Sequence, residues 1–429
     1  MPIHKTRAVA SAQGFGFGAN TGVKPAFLEN TTDQSGTGIN YINIFGNIAQ
    51  DSSGNIYVGM TPNGGGGYPV AFASSFTSAG ASRWDLGINI STYSTPGNYP
   101  YIVYAPNGYI YLAGSYFTGS STYPYISEIS SSGSIVNTVY YTGLNGCYVN
   151  SLSVDSSSNL IITVNDFSST TYLWKLNSSL SSVYFKQFPT KSQCPFLATV
   201  DSSNNVWFFS SAYVSSPYTS YYGSINSSGS VGTVYNLNNA FSSGTNLFNI
   251  KYNSNSYIYA CTGNGFFYFS TLGPTLLSFF SGFTCVATAV DSTNAVYCSN
   301  GGNAIYKLDS TGSHNFVWGM TINPQSGGNI SVNDIAISTD GNYLLICGYC
   351  YPNSSNVGGA MLLKIPVSGV FSGSYTINGT TLTFGTTTIS VTSSSYSIST
   401  TSQSITSSSA SQTSTTSTSG TLNHYLVTP

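Results

Sequence analysis

Apolar and polar positions follow a pattern that recurs along most of the chain. Each unit has a short apolar strand, a turn of Asp, Asn, Ser and Gly, and a second apolar strand. Asp and Asn favour such turns because their side chains bond to nearby backbone, and Gly accepts positive φ. The seven units are AQDSSGNIYVGM (49–60), YAPNGYIYLAGS (104–115), VDSSSNLIITVN (154–165), VDSSNNVWFFSS (200–211), YNSNSYIYACTG (252–263), VDSTNAVYCSNG (290–301) and STDGNYLLICGY (338–349).

The first apolar residue after each turn gives the period of the repeat. These residues are Ile56, Ile110, Leu160, Val206, Ile258, Val296 and Leu344, which lie 38 to 54 positions apart with a mean of 48. A second hairpin follows in each unit, clear at 125–140 and least regular at 265–280. Four short strands in about 40–50 residues are the period of a propeller blade. The alternation of Ile56 and Val58 with Tyr57 indicates half-buried strands.

Two strings carry a family resemblance. DSSGNIYVG at 51–59 resembles the bacterial-type β-propeller repeat, D-x-x-G-N-x-Y-V-x-G, and KLDSTGSHNFVW at 307–318 resembles the second half of that repeat. NHL-type propellers are more distantly similar. The resemblance covers about residues 40–375. It implies an all-β fold, which we predict to be a seven-bladed β-propeller of four-stranded blades, with six or eight blades as alternatives.

The repeat turns have one acidic position in common. We assign it to Asp51, Asp155, Asp201, Asp291 and Asp340, with Pro106 and Asn253 replacing the acid in units two and five. A calcium site usually gathers several carboxylates, and each of these turns offers one. We therefore interpret them as structural turns, and we predict neither a metal site nor a cofactor.

The two ends of the chain lie outside the repeats. Residues 1–39 form an extended N-terminal arm with the string GFGFG at 14–18, interpreted as a virion-docking segment, a ring-closing strand or a disordered terminus. Residues 376–429 are rich in Ser and Thr. The stretch 382–399 favours strands, 400–420 is typical of a polar spacer, and 422–429 is apolar enough to anchor. This segment is either a stalk or an assembly segment that pairs with a neighbouring subunit.

Charge is scarce. Of 429 residues, 10 are Lys or Arg and 12 are Asp or Glu, which is 5% against roughly 25% in an average soluble protein. A net charge of −2 gives no footprint for nucleic acid. No apolar run of about 18 residues indicates membrane insertion, and residues 8–22 are too polar for a signal-peptide core.

The composition is nevertheless typical of an extracellular protein. Ser, Thr, Asn, Gly and Tyr replace the charged residues, and Asn-x-Ser/Thr sequons arise, either by chance or as true glycosylation sites. The candidate glycosylation sites are Asn30, Asn89, Asn177, Asn226, Asn329, Asn353 and Asn378. An outward-facing protein without an export signal is explained by incorporation into a virus particle. The alternative is a secreted chain whose signal has been removed.

Few residues offer catalytic chemistry. The histidines are His4, His314 and His424, and the glutamates are Glu29 and Glu128. Hydrolysis of a glycan needs two carboxylates across a cleft. Asp334, on an inner strand, and Asp166, after another strand, are the acids to consider. Turn capping or hydrogen bonding along the channel is the alternative role for both.

The seven cysteines are expected to be buried free thiols or partners in inter-strand disulfides such as Cys261 with Cys298. Cys347 and Cys350 have the spacing of a redox or zinc motif. They lie on a predicted strand, where positions i and i+3 face opposite sides, so a shared metal or bond is not expected.

The sequence therefore predicts a protein that is not an enzyme. In composition it resembles surface proteins of archaeal viruses and phage tails. We predict a virion structural protein on the particle surface, as tail fibre, spike or turret, whose propeller recognises a host-surface glycan or protein. The terminal arms would join other virion proteins in an oligomeric assembly. The alternatives are a secreted adhesin, surface-layer or thread subunit, and a glycan-degrading propeller enzyme.

Overall fold

The fold is a ring of antiparallel β-sheets. The computed structural model describes residues 28–32, 44–61, 70–90, 95–96, 100–166, 170–189, 196–210, 221–236, 247–311, 313–324, 327–353, 359–368, 373–377, 380–397, 399–401, 406–407, 413–415 and 423–427. Every regular element in these ranges is a β-strand. No helix that could cross a membrane occurs in this part of the chain.

Seven sheets follow one another along the chain as blades, as the repeat predicts. Blade 1 contains β2 (Ile44–Gln50), β3 (Ile56–Thr61), β4 (Ala71–Phe76) and β5 (Ser82–Ile88). Blade 2 contains β7 (Tyr101–Tyr104), β8 (Ile110–Phe117), β9 (Thr122–Ile129) and β10 (Ile135–Tyr140), with the short β6 (Thr95–Pro96) beside β8. Blade 3 contains β11 (Tyr148–Val154), β12 (Leu160–Asn165), β13 (Thr170–Leu176) and β14 (Ser182–Pro189).

The second half of the ring repeats this order. Blade 4 contains β15 (Phe196–Val200), β16 (Val206–Ser210), β17 (Tyr221–Ile225) and β18 (Val231–Asn236). Blade 5 contains β19 (Leu247–Tyr252), β20 (Tyr257–Thr262), β21 (Gly265–Ser270) and β22 (Gly273–Ser281). Blade 6 contains β23 (Ala287–Val290), β24 (Val296–Ser299), β25 (Ala304–Leu308) and β26 (Phe316–Pro324). Blade 7 contains β27 (Gly327–Ile337), β28 (Tyr343–Asn353) and β29 (Gly359–Pro366).

The repeat turns join the first and second strands of the blades. In blade 1 the Asp51 carboxylate accepts hydrogen bonds from the backbone N–H of Ser53 and Asn55, at 2.9 and 2.8 Å. The amide of Asn55 and the hydroxyl of Tyr57 donate to its other oxygen. Blade 4 repeats this arrangement with Asp201, Asn205 and Trp207, so in both blades the carboxylate ties the turn to the strand that follows.

The hydrophobic core is divided between the blades. Among the described residues, buried apolar side chains form seven clusters, one at each contact between neighbouring blades. Ile56 and Val58 pack against blade 7, and Tyr57 packs against blade 2. The expectation of half-buried strands is wrong for β3, because a neighbouring blade covers each face and these three side chains are 0% exposed.

The C-terminal segment runs back around the outside of the ring. It contains β31 (Thr380–Thr386), β32 (Thr392–Ser397), β33 (Ser399–Thr401), β34 (Thr406–Ser407), β35 (Thr413–Thr415) and β36 (Asn423–Val427), and we call it the C-terminal belt. Its first five strands pair antiparallel with the outer strands of blades 6, 5, 4, 3 and 2, in that order. A further strand, β30 (Gly373–Ile377), pairs with β31. The belt thus covers outer edges that would otherwise be open to pairing.

The two ends of the chain meet at blade 7. The N-terminal strand β1 (Leu28–Thr32) lies alongside β29, and β36 pairs antiparallel with β1. The two-stranded sheet of β1 and β36 therefore lies beside blade 7, whose own sheet has three strands. The region 400–420, expected to be a polar spacer, contributes the short strands β33, β34 and β35. Its alternating Ser and Thr carry no charge that would oppose pairing to a sheet edge.

Candidate binding site on the propeller axis

The inner strands share one structural position, and five of its seven residues line a single cavity. This position lies four residues before the first residue of each repeat turn and is occupied by Asn47, Tyr101, Ser151, Leu197, Asn249, Ala287 and Asp334. In blades 1, 3, 5 and 7 the register shifts immediately before this position, inserting one extra residue into the inner strand. Such bulges redirect side chains, and in these four blades the position is polar.

Asp334 is the centre of the polar network on the axis. Its Oδ2 accepts hydrogen bonds from Asn47 Nδ2 at 2.5 Å and from the Ile48 N–H at 3.2 Å, both on blade 1. Its Oδ1 accepts a bond from Asn249 Nδ2 of blade 5 at 3.3 Å. Asn47 in turn accepts a bond from the Ile102 N–H of blade 2 at 3.3 Å. This carboxylate thus connects three of the seven blades directly and a fourth, blade 2, through Asn47.

Burial determines the electrostatics of this carboxylate. The Asp334 side chain is 1% exposed, and Lys251 Nζ lies 3.8 Å from Oδ1. Burial raises the pKa of Asp334, while the Lys251 charge and the hydrogen bonds from Ile48 and Asn249 partly offset the rise. Burial also raises the pKa of Tyr101 to about 12, and the nearby Asp334 charge adds to that rise.

A half-open cavity adjoins this network. It encloses about 40 Å³, and its mouth is open to solvent. Its walls come from the inner strands of blades 1 to 5 and include Tyr101, Asn150, Phe248 and Lys251. Ser151 and Ser153, also in the wall, bond to blade 4, where Ser151 Oγ accepts from the Ala198 N–H and Ser153 Oγ donates to the Ala198 carbonyl.

Within the described part of the chain, two donors of the wall have no hydrogen-bond acceptor. Asn150 is the extra residue of the blade 3 bulge, 9% exposed, and its Nδ2 has no partner. Lys251 is 36% exposed at its side chain, and its separation of 3.8 Å from Asp334 exceeds hydrogen-bond length. Phe248, the extra residue of the blade 5 bulge, is 40% exposed.

The acids that the sequence singled out are placed apart. Asp166 follows β12 on blade 3, and its Oδ1 accepts from the Thr170 N–H at 2.9 Å in a turn. Asp334 lies on the inner strand of blade 7 and lines the axis. Asp166 therefore caps a turn, and Asp334 forms hydrogen bonds along the channel. Glu128 is buried on blade 2, where Tyr111 donates to it and burial raises its pKa.

The predicted turn acids bond to their own turns. Asp155 also forms an ion pair of 2.9 Å with Lys175, and Asp201 accepts from Trp207 Nε1 at 2.9 Å. Asp291 accepts from the Thr293 and Ala295 N–H groups. In blade 7 Ser338 begins the turn, because its Oγ accepts from the Tyr343 N–H, and Asp340 sits two residues further on.

In blade 2 the position assigned to Pro106 belongs to Ala105, whose N–H donates to Tyr109 and whose carbonyl accepts from Gly108. No group of three His, Cys, Asp or Glu side chains within the described ranges is arranged to hold a metal ion.

The histidines and the candidate glycosylation sites occupy different environments. His314 is 1% exposed among Tyr259, Phe266, Tyr268 and Phe280, and burial lowers its pKa. Of the sequons, Asn226 and Asn329 are exposed, and Asn89 and Asn177 are half-buried. Asn30 and Asn353 lie in strands, with side chains outside the described set, as is that of His424. His4 and Asn378 are outside the described residues.

Six cysteines fall within the described residues, and all six are buried free thiols; Cys194 lies outside them. Cys347 and Cys350 belong to different hydrophobic clusters, as their spacing predicts. The Sγ atom of Cys261 contacts Cys285 Sγ at 2.9 Å. The partner in this contact is therefore Cys285 and not Cys298, the residue that the sequence suggested.

Comparison with known proteins finds solved structures that are similar to this chain in fold. No family model matches the chain, and no curated protein is similar to it in sequence. One similar solved structure is a protein of unknown function from Bacteroides caccae, with 12% identity over 58% of this chain and 92% of that chain, at a TM-score of 0.36. Another is Sqt1 of Chaetomium thermophilum bound to the N-terminus of ribosomal protein L10, with 9% identity over 79% and 100%, at 0.42. A third is Drosophila Plexin A in complex with Semaphorin 1b, with 11% identity over 81% and 88%, at 0.47.

Proposed function

We propose that the chain is a non-enzymatic recognition protein, displayed on the surface of a virus particle, whose propeller binds a host-surface ligand through its axial cavity. The observation that carries this proposal is the half-open cavity on the axis, whose wall combines amide, hydroxyl and aromatic side chains with the half-exposed Lys251 ammonium. Concave sites that place a few polar groups among apolar ones are typical of ligand binding.

The surroundings of the cavity support binding more than catalysis. The carboxylate nearest to it, Asp334, accepts three hydrogen bonds from amide and peptide donors and is 1% exposed. A general base needs access to the proton it removes. Amides, hydroxyls and aromatic rings form the remaining walls, and such groups bind polar ligands without titrating.

Display on a particle is the finer part of the proposal. It is supported by the scarcity of charge and the excess of Ser, Thr, Asn and Tyr. Display on a virion as tail fibre, spike or turret would place the cavity where host contact occurs, with the terminal segments joining other virion proteins. A secreted adhesin or surface-layer subunit would use the same cavity in a cellular setting.

Two measurements test the proposal. Mass spectrometry and antibody labelling of purified particles should find the chain on the virion surface, and its presence only in cell envelopes would favour the cellular alternative. The intact purified chain should bind host cells or isolated envelopes. Failure to bind either material would remove the recognition function.

A further inference from the structure

We infer that blade 3 carries a site of self-modification, where the Lys175 amine condenses with the Asn159 carboxamide to form an amide bond, with Asp155 carrying the proton. The inference goes beyond the proposed recognition function and does not depend on it. A lysine amine becomes a nucleophile when an adjacent base takes its proton. In blade 3 the three groups meet at one atom, because Asp155 Oδ2 accepts from Lys175 Nζ at 2.9 Å and from Asn159 Nδ2 at 2.8 Å.

The turn of blade 3 departs from the repeat at the point where this lysine enters. In blades 1 and 4 the Oδ2 atom of the turn carboxylate accepts from an aromatic donor six residues further on, Tyr57 or Trp207. Blade 3 has the apolar Ile161 at that position. Lys175 pairs with Ile161 from strand β13 and places its ammonium on the carboxylate instead. The turn of blade 3 therefore holds a nucleophile where blades 1 and 4 hold an aromatic ring.

Burial makes the neutral amine accessible. The side chains of Lys175 and Asp155 are 3% and 1% exposed, and no other lysine in the described part of the chain is buried. Tyr184 pairs with Lys175 from strand β14, with its ring centre 6.0 Å from Nζ. Keeping two charges away from water is costly, which narrows the gap between the ion pair and the neutral pair formed by proton transfer.

The reaction is balanced within the chain and needs no oxidant or co-reactant. Lys175 passes a proton to Asp155, and the freed lone pair of Nζ attacks Cγ of Asn159. Asp155 returns the proton to Nδ2, and the Cγ–Nδ2 bond breaks as the Nζ–Cγ amide forms. Nζ gives up a second proton in this step, which leaves with the ammonia as ammonium.

The ion pair is the resting state of this site. Burial acts to raise the pKa of Asp155, but the bonds from Asn159 and Lys175 outweigh it and lower the pKa. Most molecules therefore hold a protonated lysine at any moment. We expect the amide bond to form slowly and to accumulate with time after folding.

Blade 6 provides an internal control, because Lys307 lies at the repeat position of the blade 3 lysine. It pairs with Tyr297, and its Nζ donates to the Val367 carbonyl at 3.3 Å. Ala295 occupies the turn position that corresponds to Asn159. Blade 6 therefore has the lysine without a carboxamide to receive it.

Mass spectrometry of the intact chain tests the inference. We expect the purified protein, incubated below its melting temperature, to lose the mass of one ammonia. Trypsin should then no longer cleave after Lys175, because the side chain has become an amide. Lys175→Arg keeps a cation beside Asp155 and should show no loss of ammonia, and Asp155→Asn should also prevent it. Lys307→Arg is the matched control and should lose ammonia as the original chain does.

A full mass after prolonged incubation, with trypsin still cleaving after Lys175, would overturn the inference. An ammonia loss that persists in Lys175→Arg would come from ring closure at an Asn–Gly pair such as 107–108 and would also overturn it. Loss of water, from a bond between Lys175 and Asp155, would overturn the assignment of Asn159 as the acceptor. Melting curves show that the variants are folded, and Asp155→Asn should fold because Asn253 forms the equivalent turn of blade 5.

Discussion

Asn249 on blade 5 donates a hydrogen bond to Asp334 on blade 7, so the two side chains meet past the intervening blade 6. This contact of 3.3 Å is possible because blade 6 has the small Ala287 at the equivalent position. Polar contacts on the axis therefore connect blades that share no hydrophobic cluster. The ring is held together by apolar packing between neighbours and by one shared carboxylate at its centre.

Removing that carboxylate should destabilise the whole ring. Asp334→Ala leaves the amides of Asn47 and Asn249 and the Ile48 N–H without their acceptor, and we expect a loss of about 3 kcal/mol in the free energy of unfolding. Urea denaturation measures this. Asp309→Asn is the control, because Asn177 and Asn226 occupy the equivalent turn position in blades 3 and 4 and bond in the same way. Equal losses in both variants would contradict the central role of Asp334.

The repeat turns should tolerate Asn better than Ala. In blade 5, Asn253 already accepts from the Asn255 and Tyr257 N–H groups with one oxygen. Asp201→Asn should keep the corresponding two backbone bonds, while Asp201→Ala loses them together with the partner of Trp207. We expect a cost of about 2 kcal/mol for Ala and about half of that for Asn. Thermal melts followed by tryptophan fluorescence would show this order, and a reversed order would refute it.

Stability should decrease modestly as the pH falls below 6.5, the ordinary pKa of histidine, and steeply as it falls below 3.8, the ordinary pKa of aspartate. Burial acts to raise the pKa of Asp51, but hydrogen bonds from Asn55 and Tyr57 outweigh it and lower the pKa below 3.8; the pKa values of Asp155, Asp309 and Asp340 are lowered in the same way. A lowered pKa stabilises the fold above the unfolded value, and this contribution is lost as the pH falls through the folded value.

Asp334 and Glu128 act in the opposite direction. Burial raises both of their pKa values, so each favours the folded state when protonated, and their contributions increase as the pH falls toward the folded values. His314 opposes them, because burial lowers its pKa and the unfolded chain binds a proton more readily as the pH falls below 6.5. The melting temperature should therefore fall by less between pH 7 and about pH 4.5 than it does below pH 3.8. Calorimetric scans in matched ionic strength test this, and a collapse of the melting temperature above pH 4.5 would contradict it.

Oxidation should join Cys261 to Cys285. Their Sγ atoms are 2.9 Å apart between blades 5 and 6, and burial raises the pKa of both thiols. Incubation near the melting temperature with oxidised glutathione should therefore convert the two thiols to a disulfide with release of two reduced glutathiones. Closing a loop of 24 residues should stabilise the chain by about 3 kcal/mol.

Peptide mapping identifies the bond. Cys285→Ser should abolish the stabilisation, and Cys298→Ser should preserve it. A bond between Cys261 and Cys298, the pair that the sequence suggested, would show that the arrangement of these thiols differs from the one described.

Deleting residues 392–429 should expose the outer edges of blades 5 to 2 while leaving the blades folded. Strand β32 pairs with β22 from Leu276 to Ser281, so the amides of β22 should exchange with solvent much faster in the deletion variant. Amides of inner strand β19 serve as the internal control and should not change. The variant should also self-associate, because open strand edges pair with other chains. An unchanged exchange rate in β22 would contradict pairing by the belt.

The strands and turns of the blades can be predicted from the sequence more completely than the side-chain contacts on the propeller axis. The turn pattern from Asp51 to Tyr57 is local. A short stretch of sequence therefore predicts both the hydrogen bonds of the turn and the strand that follows it. The path of the belt is invisible in the sequence, because β32 pairs with residues more than 100 positions away and its Ser and Thr would suit a stalk equally well. The contact of Asp334 with Asn47 joins residues 287 positions apart. The bulge at Asn150 shifts the register between two paired strands. The alternation of apolar and polar residues along one strand does not predict such a shift.

The belt also sets the order in which the molecule would yield to a mechanical load. Tension on the last residues would peel β36 from β1 first and then β35, β34, β33 and β32 from successive blades, each held by a few hydrogen bonds. These pairs would open one after another before any blade lost a strand of its own. At about 3.4 Å per residue, peeling the 36 residues from Thr392 to Val427 would release about 120 Å of chain. If the propeller were tethered by this end, the belt would extend under force first, and the blades around the axial cavity would stay folded.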